Sequence, residues 1–382
     1  MGLDLTLFSS KLRRYREQFA LGPGEVCAAT GIPRDRLAAL ENGSQEPTGD
    51  EVLILADFYK CDYKFFITNE RLAAFEQTES LFRMHGNDLS KADRWAIQEF
   101  LFLCECEDFL MNNLPGQTRL SFEFKKVDGY YKRHGETAAA ELRRLLGYRT
   151  SEIPRDVYRD FRKLGFHVFR RQLANSAISG VCIQHPTGGK CILINYSEDT
   201  YRQRFSVAHE AAHAILDDDK DFVVSFKKWN RSDLSEVRAN TFASRYLLPL
   251  NFLKGLPEPE NWTAADTVRW ASQLMVNTEP LAIALNQAGL ISDQTADRMK
   301  HVKVPAQQKK DPELPESLGP KPMERKRKLL RLGLSSVYVG LCFDAYEQGV
   351  VSAGRLAEML LVPETGLSPI ANLYGRSLAH DD

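Results

Sequence analysis

The stretch SVAHEAAHAILDD, residues 206–218, carries His209 and His213 four positions apart, with Glu210 directly after the first histidine. The alanines and aliphatic residues around them are typical of a helix. Because residues four apart lie on one face of a helix, both imidazoles can direct a ring nitrogen at one point about 2.0–2.1 Å away, the distance that zinc requires. The spacing therefore predicts a metal site on this helix.

Glu210 lies beside that point and has a different predicted role. A carboxylate there need not bind the metal, since it can accept a proton from a water that zinc has acidified and pass it to a leaving amine. We therefore predict Glu210 as the catalytic carboxylate of metal-assisted peptide hydrolysis. The alternative is a pair of surface histidines on an ordinary helix.

A third protein ligand is expected downstream, because three protein ligands leave one position open for water. The segment SEVRANTFASRYLLP, residues 235–249, places Glu236 on a helix, with Asn240 one turn further along the same side. We predict Glu236 as the third ligand and Asn240 as a residue that hydrogen-bonds a ligating imidazole. The donor to a transition-state oxyanion is left open among four residues: Tyr201, Arg204, His185 and Tyr246.

Composition limits the classes of protein to consider. A chain of 382 residues is longer than one hydrophobic core usually supports, so more than one domain is expected. Its 50 basic and 51 acidic residues nearly balance, which excludes a positive charge over the whole chain that would attract nucleic acid or an anionic membrane. We expect a cytoplasmic protein without membrane contact, since there is no signal-peptide pattern and no apolar run of about 18 residues. The seven cysteines form no CxxC pair and are expected to be reduced core thiols.

The order of elements predicts a mainly α protein with a small β-sheet, that is, an α+β fold. Five short amphipathic helices over residues 8–67 are typical of a helix-turn-helix domain, and strand-like stretches over 166–196, with a hairpin at HPTGGK, predict the sheet. The predicted domains are a helix-turn-helix domain at 1–68, a helical connector at 69–135, a peptidase domain at 136–302, whose resemblance to a known family implies a zincin-like fold, a proline-rich linker at 303–322 and a C-terminal domain of three helices at 323–382.

Two paired motifs resemble a known family. RQRFSVAHEAAHAILDD, residues 202–218, and EVRANTFASRYLLP, residues 236–249, are similar to the HExxH and ExxAN-x-FA helices of the ImmA/IrrE metallopeptidases. The resemblance covers roughly 136–290. It implies a zinc metalloendopeptidase, with His209, His213 and Glu236 as zinc ligands and Glu210 as the catalytic residue.

The same resemblance implies a biological role. Members of this family cleave a partner protein, typically a transcriptional repressor, and so switch on stress, DNA-damage or mobile-element genes. Two alternatives stay open: a DNA-binding regulator whose peptidase-like domain senses a ligand or partner without hydrolysis, and a toxin-like hydrolase of a toxin–antitoxin or immunity locus. The oligomeric state is also open, a dimer included.

Residues 8–67 resemble the XRE (Cro/C1-like) helix-turn-helix domains, with EVCAATGIPRDRLAALENG at 25–43 matching the two central helices and their turn. This implies duplex DNA as a partner, with Arg34 and Arg36 as the predicted contacts. Such domains usually begin their second helix with a glutamine that contacts a phosphate, whereas this chain has Pro23 at that place. In addition, residues 1–60 contain seven basic and nine acidic residues. Protein docking is therefore the alternative use of this domain.

A basic run near the C-terminus, ERKRKLLR at 324–331, has two interpretations. It can contact phosphates or the acidic surface of a repressor, or it can be the solvated face of a helix.

Overall fold

The computed structural model describes residues 2–69, 81–82, 88–125, 130–185, 189–217, 221–226, 233–315 and 317–378. The chain forms two compact units, the first made of residues 1–105, 173–175 and 185–187, and the second of the remainder. Helices predominate and a small sheet lies within residues 167–226, which confirms the predicted fold class. None of the helices in these ranges has the length and apolar character needed to cross a membrane.

The N-terminal unit contains the five predicted short helices: α1 Leu5–Gln18, α2 Pro23–Thr30, α3 Arg34–Asn42, α4 Gly49–Tyr59 and α5 Tyr63–Ile67. The turn between α2 and α3 depends on Gly31, whose φ of 74° is a left-handed conformation that glycine adopts without strain. The core is aromatic, with the Tyr15 ring 5.1 Å from Tyr59 and 5.3 Å from Phe65. A further long helix, α6, spans Lys91–Asn113.

Helices α3 and α4 are joined by an ion pair between Arg36 and Glu51. The Nε and Nη2 atoms of Arg36 donate to the two carboxylate oxygens of Glu51, each at 2.7 Å. This bidentate hydrogen bonding lowers the pKa of Glu51 to about 2. Arg36 is thus part of the structure of its own domain.

Replacing Glu51 by glutamine should lower the thermal midpoint of the N-terminal unit by roughly 2–5 °C at pH 7. The folded-state pKa of Glu51 is depressed, so its contribution is complete above the ordinary value of 4.5 and is lost as the pH falls toward 2. Circular dichroism of the full chain should show a difference from the wild type that narrows below pH 4.5. Glu17→Gln, at an exposed glutamate, is the control, and a difference independent of pH would contradict the prediction.

The sheet has four strands: β1 His167–Arg171, β2 Ile178–His185, β3 Gly189–Asn195 and β4 Phe222–Phe226. Their order is β1-β3-β2-β4, with β1 parallel to β3 and β2 antiparallel to β4. The first three strands match the predicted ones, whereas β4 was not predicted. The predicted hairpin turn includes residues 186–188, which lie outside the described residues.

The second unit also contains helices α7 Tyr131–Leu145, α8 Val157–Lys163, α9 Thr200–Leu216, α10 Leu234–Leu247, α11 Leu250–Lys254, α12 Ala264–Leu274, α13 Thr278–Gln287 and α14 Asp293–Lys300. Helix α9, which carries the histidines, is almost entirely buried. Its N-cap is Asp199, whose side chain accepts hydrogen bonds from the backbone N–H groups of Tyr201 and Arg202. Helix α7 lies very close to α10, because a Cβ at Gly135 would be 2.6 Å from the Arg238 carbonyl oxygen.

The C-terminal region has helices α15 Pro320–Arg331, α16 Ser336–Glu347, α17 Ala353–Met359 and α18 Leu367–Tyr374. These are four rather than the three predicted, since the chain turns at Gly333, where φ is 94°.

The predicted linker at 303–322 is anchored by long-range ion pairs. Asp311 accepts from buried Arg170 of β1 at 2.8 Å, and Glu313 accepts from Arg162 at 2.6 Å. Proline content indicated irregular chain but carried no signal for these contacts. The domain bounds stay a prediction, and the connector at 69–135 includes residues 70–80, 83–87 and 126–129, which lie outside the described part of the chain.

Candidate metal centre

Three side chains from two helices converge on one point. His209 and His213 lie one turn apart on α9, and their Nε2 atoms are 3.1 Å from each other. Glu236, in the first turn of α10, places its carboxylate oxygens 3.4 Å from Nε2 of His209 and 3.2 Å from Nε2 of His213. The structure therefore brings together the three residues that the sequence predicts as ligands, and their ligand atoms all lie within 4.8 Å of one another.

Asp217 and Arg238 support the orientation of the ligand side chains through hydrogen bonds. Nδ1 of His213 is 2.8 Å from Asp217 Oδ2, which turns Nε2 toward Glu236. The other oxygen of Asp217 accepts a hydrogen bond from Arg238, two residues after Glu236 on α10. The pair thus links the helix of the histidines to the helix of the glutamate. Sequence reasoning missed it, although Asp217 is four residues after His213 and hence on the same helical face.

The charges of the ligand cluster are strongly coupled. Burial acts to raise the pKa of Glu236, but hydrogen bonds from the two imidazoles outweigh it and hold the pKa well below its ordinary value. Burial acts to lower the pKa of His213, yet the bonds to Asp217 and Glu236 raise it to about 9. The hydrogen bond between His213 and Glu236 therefore stabilises the charged forms of both side chains.

Glu210 lies beside the cluster with no exposed surface. Neither of its carboxylate oxygens makes a hydrogen bond of normal geometry within the described residues, although the Ser225 hydroxyl of β4 is near enough to act on its charge. Burial raises the pKa of this carboxyl, and the nearby His209, His213 and Ser225 act against that increase. A buried carboxylate with such weak compensation is costly, so its retention here points to a chemical role.

Strand β2 approaches the carboxylate of Glu210 closely at Gly180. A Cβ at this position would lie 2.7 Å from Oε1 of Glu210, so only glycine fits without movement. Gly180 pairs with Ser225 of β4, and the register of β2 against β4 shifts between Ile178 and Gly180. Such irregularities recur next to active sites. Sequence reasoning missed Gly180, because nothing in its local sequence indicates what faces it.

Gly180→Ala should reduce peptide cleavage by roughly 100-fold, since the added methyl group must displace Glu210 by a fraction of an ångström or more. The free energy of unfolding should fall by only about 1–3 kcal/mol, and zinc content should be unchanged because Gly180 does not contact the ligands. Activity, thermal unfolding and elemental analysis measure the three effects. Gly340→Ala is the matched control, because a Cβ there meets no atom within 4 Å. Full activity in the Gly180 variant would contradict the prediction.

The residues present fit a zinc ion. A tetrahedral site with bonds of about 2.0–2.2 Å separates its ligand atoms by roughly 3.4 Å, close to the 3.1, 3.4 and 3.2 Å observed between the three ligands. Two imidazoles and one carboxylate form the donor set of a catalytic zinc site, which keeps a position open for water. The buried carboxylate of Glu210, whose charge interacts with those of the ligands, supplies a proton acceptor beside the cluster.

Among the described residues, no hydrogen bond connects the other predicted site residues to this ligand cluster. Asn240 is half-buried on α10, and neither its Nδ2 nor Nδ1 of His209 is hydrogen-bonded to any described residue. Its predicted role stays a prediction. The four open oxyanion donors have other partners: Tyr201 donates to the Ser272 carbonyl, Tyr246 to Asp160, Arg204 to the Pro154 carbonyl, and His185 pairs with Glu105.

The helix-turn-helix region places its two predicted DNA contacts in different settings. Arg34 is exposed at the start of α3. Arg36 is bonded to Glu51, to Gln45 and to the Glu46 carbonyl. Arg34 is therefore the better placed of the two for a base contact, and DNA contact by either residue stays a prediction.

Comparisons with known proteins agree with this division. Residues 161–286 match the family model of the IrrE N-terminal-like domain, peptidase M78, and residues 7–63 match the model of a helix-turn-helix domain. No curated protein matched the chain. Peptidases of the M78 family are generally zinc-dependent, although some members are not active. The chain therefore has the ImmA/IrrE architecture, in which an N-terminal helix-turn-helix domain accompanies an IrrE N-terminal-like peptidase domain.

Proposed function

We propose that the chain is a zinc-dependent endopeptidase that cleaves a partner protein, and that the partner is a transcriptional repressor. The observation that carries the proposal is the convergence of His209, His213 and Glu236, with the buried carboxylate of Glu210 beside them. The domain combination favours a regulatory substrate, because the same chain carries a helix-turn-helix module. Cleavage would then relieve repression of stress, mobile-element or defence genes.

The residues divide the chemistry between them. His209, His213 and Glu236 would hold a zinc ion, which would supply Lewis acidity at the site. Glu210 accepts the proton of the attacking water and transfers it to the nitrogen of the leaving product, and its raised pKa suits both halves of that transfer. Asp217 and Arg238 keep His213 in the orientation that presents Nε2 to the site.

A second candidate is a DNA-binding regulator whose peptidase-like domain binds a partner without hydrolysis. The helix-turn-helix match and the exposed Arg34 favour it. The two functions differ in what Glu210 does: a binding module does not need a buried base, whereas a peptidase loses its chemistry without one.

The test is made in cells that express the chain together with a candidate repressor, sought first among the neighbouring genes. Under inducing stress, the wild type should deplete the repressor and generate new N-termini, which mass spectrometry of the fragments would identify. The Glu210→Gln variant should leave the repressor intact. Equal depletion by this variant would exclude the peptidase and favour the regulator.

A further inference from the structure

Helix α15, Pro320–Arg331, carries six basic residues and one acidic residue. Four of the basic residues are exposed and form no ion pair within the described ranges; we call them the α15 cation face: Lys321, Arg325, Lys328 and Arg331. Their spacing of four and three residues places them along one side of the helix. From the first to the last they extend over roughly 15 Å.

The other charges of the helix do not neutralise this face. Glu324 is paired with Arg327 at 2.7 Å. The ammonium group of Lys326 lies 4.3 Å from the centroid of the Tyr374 ring. The sole acidic residue of α15 therefore has a partner outside the α15 cation face.

Helix stability accounts for only part of the α15 cation face. Lys328 and Arg331 lie in the last turn, where cations interact favourably with the helix dipole. Lys321 lies in the first turn, where a cation opposes the dipole. Lys321 and Arg325 are thus charges that the helix itself does not need.

The helix-turn-helix unit, by contrast, uses several of its cations internally. Lys11 is buried and donates to the Phe65 carbonyl at 2.6 Å. Arg16 pairs with Glu41 at 2.6 Å, and Arg36 is held by Glu51. Neutralisation of phosphates supplies most of the sequence-independent affinity for DNA. Pairing within the unit therefore reduces the number of cations that it can offer to phosphates.

We propose that the α15 cation face binds the phosphate backbone of duplex DNA without regard to sequence. Four unpaired cations along one side of a helix complement the regular negative charge of a duplex. A membrane surface fits less well, because Leu330 is turned inward and only 2% exposed, so that helix side is not free to insert. This inference does not rest on peptidase activity.

The experiment compares the full-length wild type with a variant that carries Lys321→Gln, Arg325→Gln, Lys328→Gln and Arg331→Gln. The matched control removes two lysines and two arginines that are also exposed, in helices α7 and α8: Lys132→Gln, Arg144→Gln, Arg159→Gln and Lys163→Gln. Fluorescence anisotropy with a labelled duplex of random sequence measures affinity between about 50 and 200 mM salt. Circular dichroism verifies that each variant is folded, and a double variant at Lys321 and Arg325 replaces any that is not.

The α15 variant should bind the random duplex at least tenfold more weakly than the control at low salt. The slope of log affinity against log salt should become shallower by about 3–4, as expected for four lost phosphate contacts. Equal losses in the two variants would overturn the proposal, because net charge alone would explain them. Failure of the wild type to bind the duplex would also overturn it. So would a variant that keeps DNA binding but loses binding to poly-glutamate, since the face would then recognise an acidic protein.

Discussion

Glu210→Gln should slow cleavage of the partner protein by roughly 10²- to 10⁴-fold, the usual contribution of a general base. The substitution keeps the size of the side chain but removes the carboxylate that we propose accepts a proton from water. Because burial raises the pKa of Glu210, the charged form is unfavourable in the folded protein. The variant should therefore be at least as stable as the wild type and should bind as much zinc.

Cleavage is measured with purified partner, zinc by elemental analysis and stability by thermal unfolding. Glu279→Gln, at an exposed glutamate of α13, controls for the loss of a carboxylate and should have no effect on any of the three. Wild-type cleavage by the Glu210 variant at equal zinc content would refute the assignment of Glu210 as base. Loss of cleavage together with loss of zinc would show instead that Glu210 supports the metal.

Local sequence was sufficient to predict the part of the site that lies within one helix. Two histidines at positions i and i+4 of a helix lie on one face of it, whatever the helix packs against. The alanines around them predict the close packing that buries α9. Glu236 lies on a different helix, so helical spacing could not show that it would be near the histidines. Its prediction as a ligand depended instead on a second sequence motif.

The parts that were not predicted depend on contacts between distant segments. Gly180 faces Glu210 across 30 residues of chain, so no local pattern distinguishes it from a glycine in any strand. The sequence around Arg36 does not indicate an ion-pair partner, yet its guanidinium group donates to the carboxylate of Glu51, 15 residues later. Asp217 is the exception, since it lies one turn after His213 and the same spacing rule could have identified it.

The N-terminal unit shows a similar limit. Helix lengths and the turn at Gly31 follow from local signals, because caps and left-handed residues act within a few positions. What the domain binds depends on which cations stay exposed after folding. That can be read only from the ion pairs, and these leave Arg34 exposed while Arg36 is bonded within the domain.

A double variant, His209→Ala and His213→Ala, should lose stoichiometric zinc and with it all peptide cleavage. Two of the three protein ligands are removed, and a single carboxylate does not retain zinc against a chelator. Elemental analysis after gel filtration measures the loss. His301→Ala, at an exposed histidine, is the control and should keep its zinc. Equal zinc in the double variant and the wild type would exclude this site as the metal centre.

Asp217→Asn should give a graded effect that separates orientation from ligation. The ligands remain, but His213 loses the carboxylate that fixes its ring, so zinc affinity measured by chelator competition should fall by roughly 10- to 100-fold and excess zinc should restore activity. In the wild type, the hydrogen bonds to Asp217 and Glu236 raise the pKa of His213 to about 9, so zinc must displace a proton below that pH and its affinity should weaken as the pH falls. Without Asp217 the pKa of His213 falls, and this pH dependence should become shallower around neutrality. An unchanged affinity and pH dependence would show that Asp217 does not position His213 for metal binding.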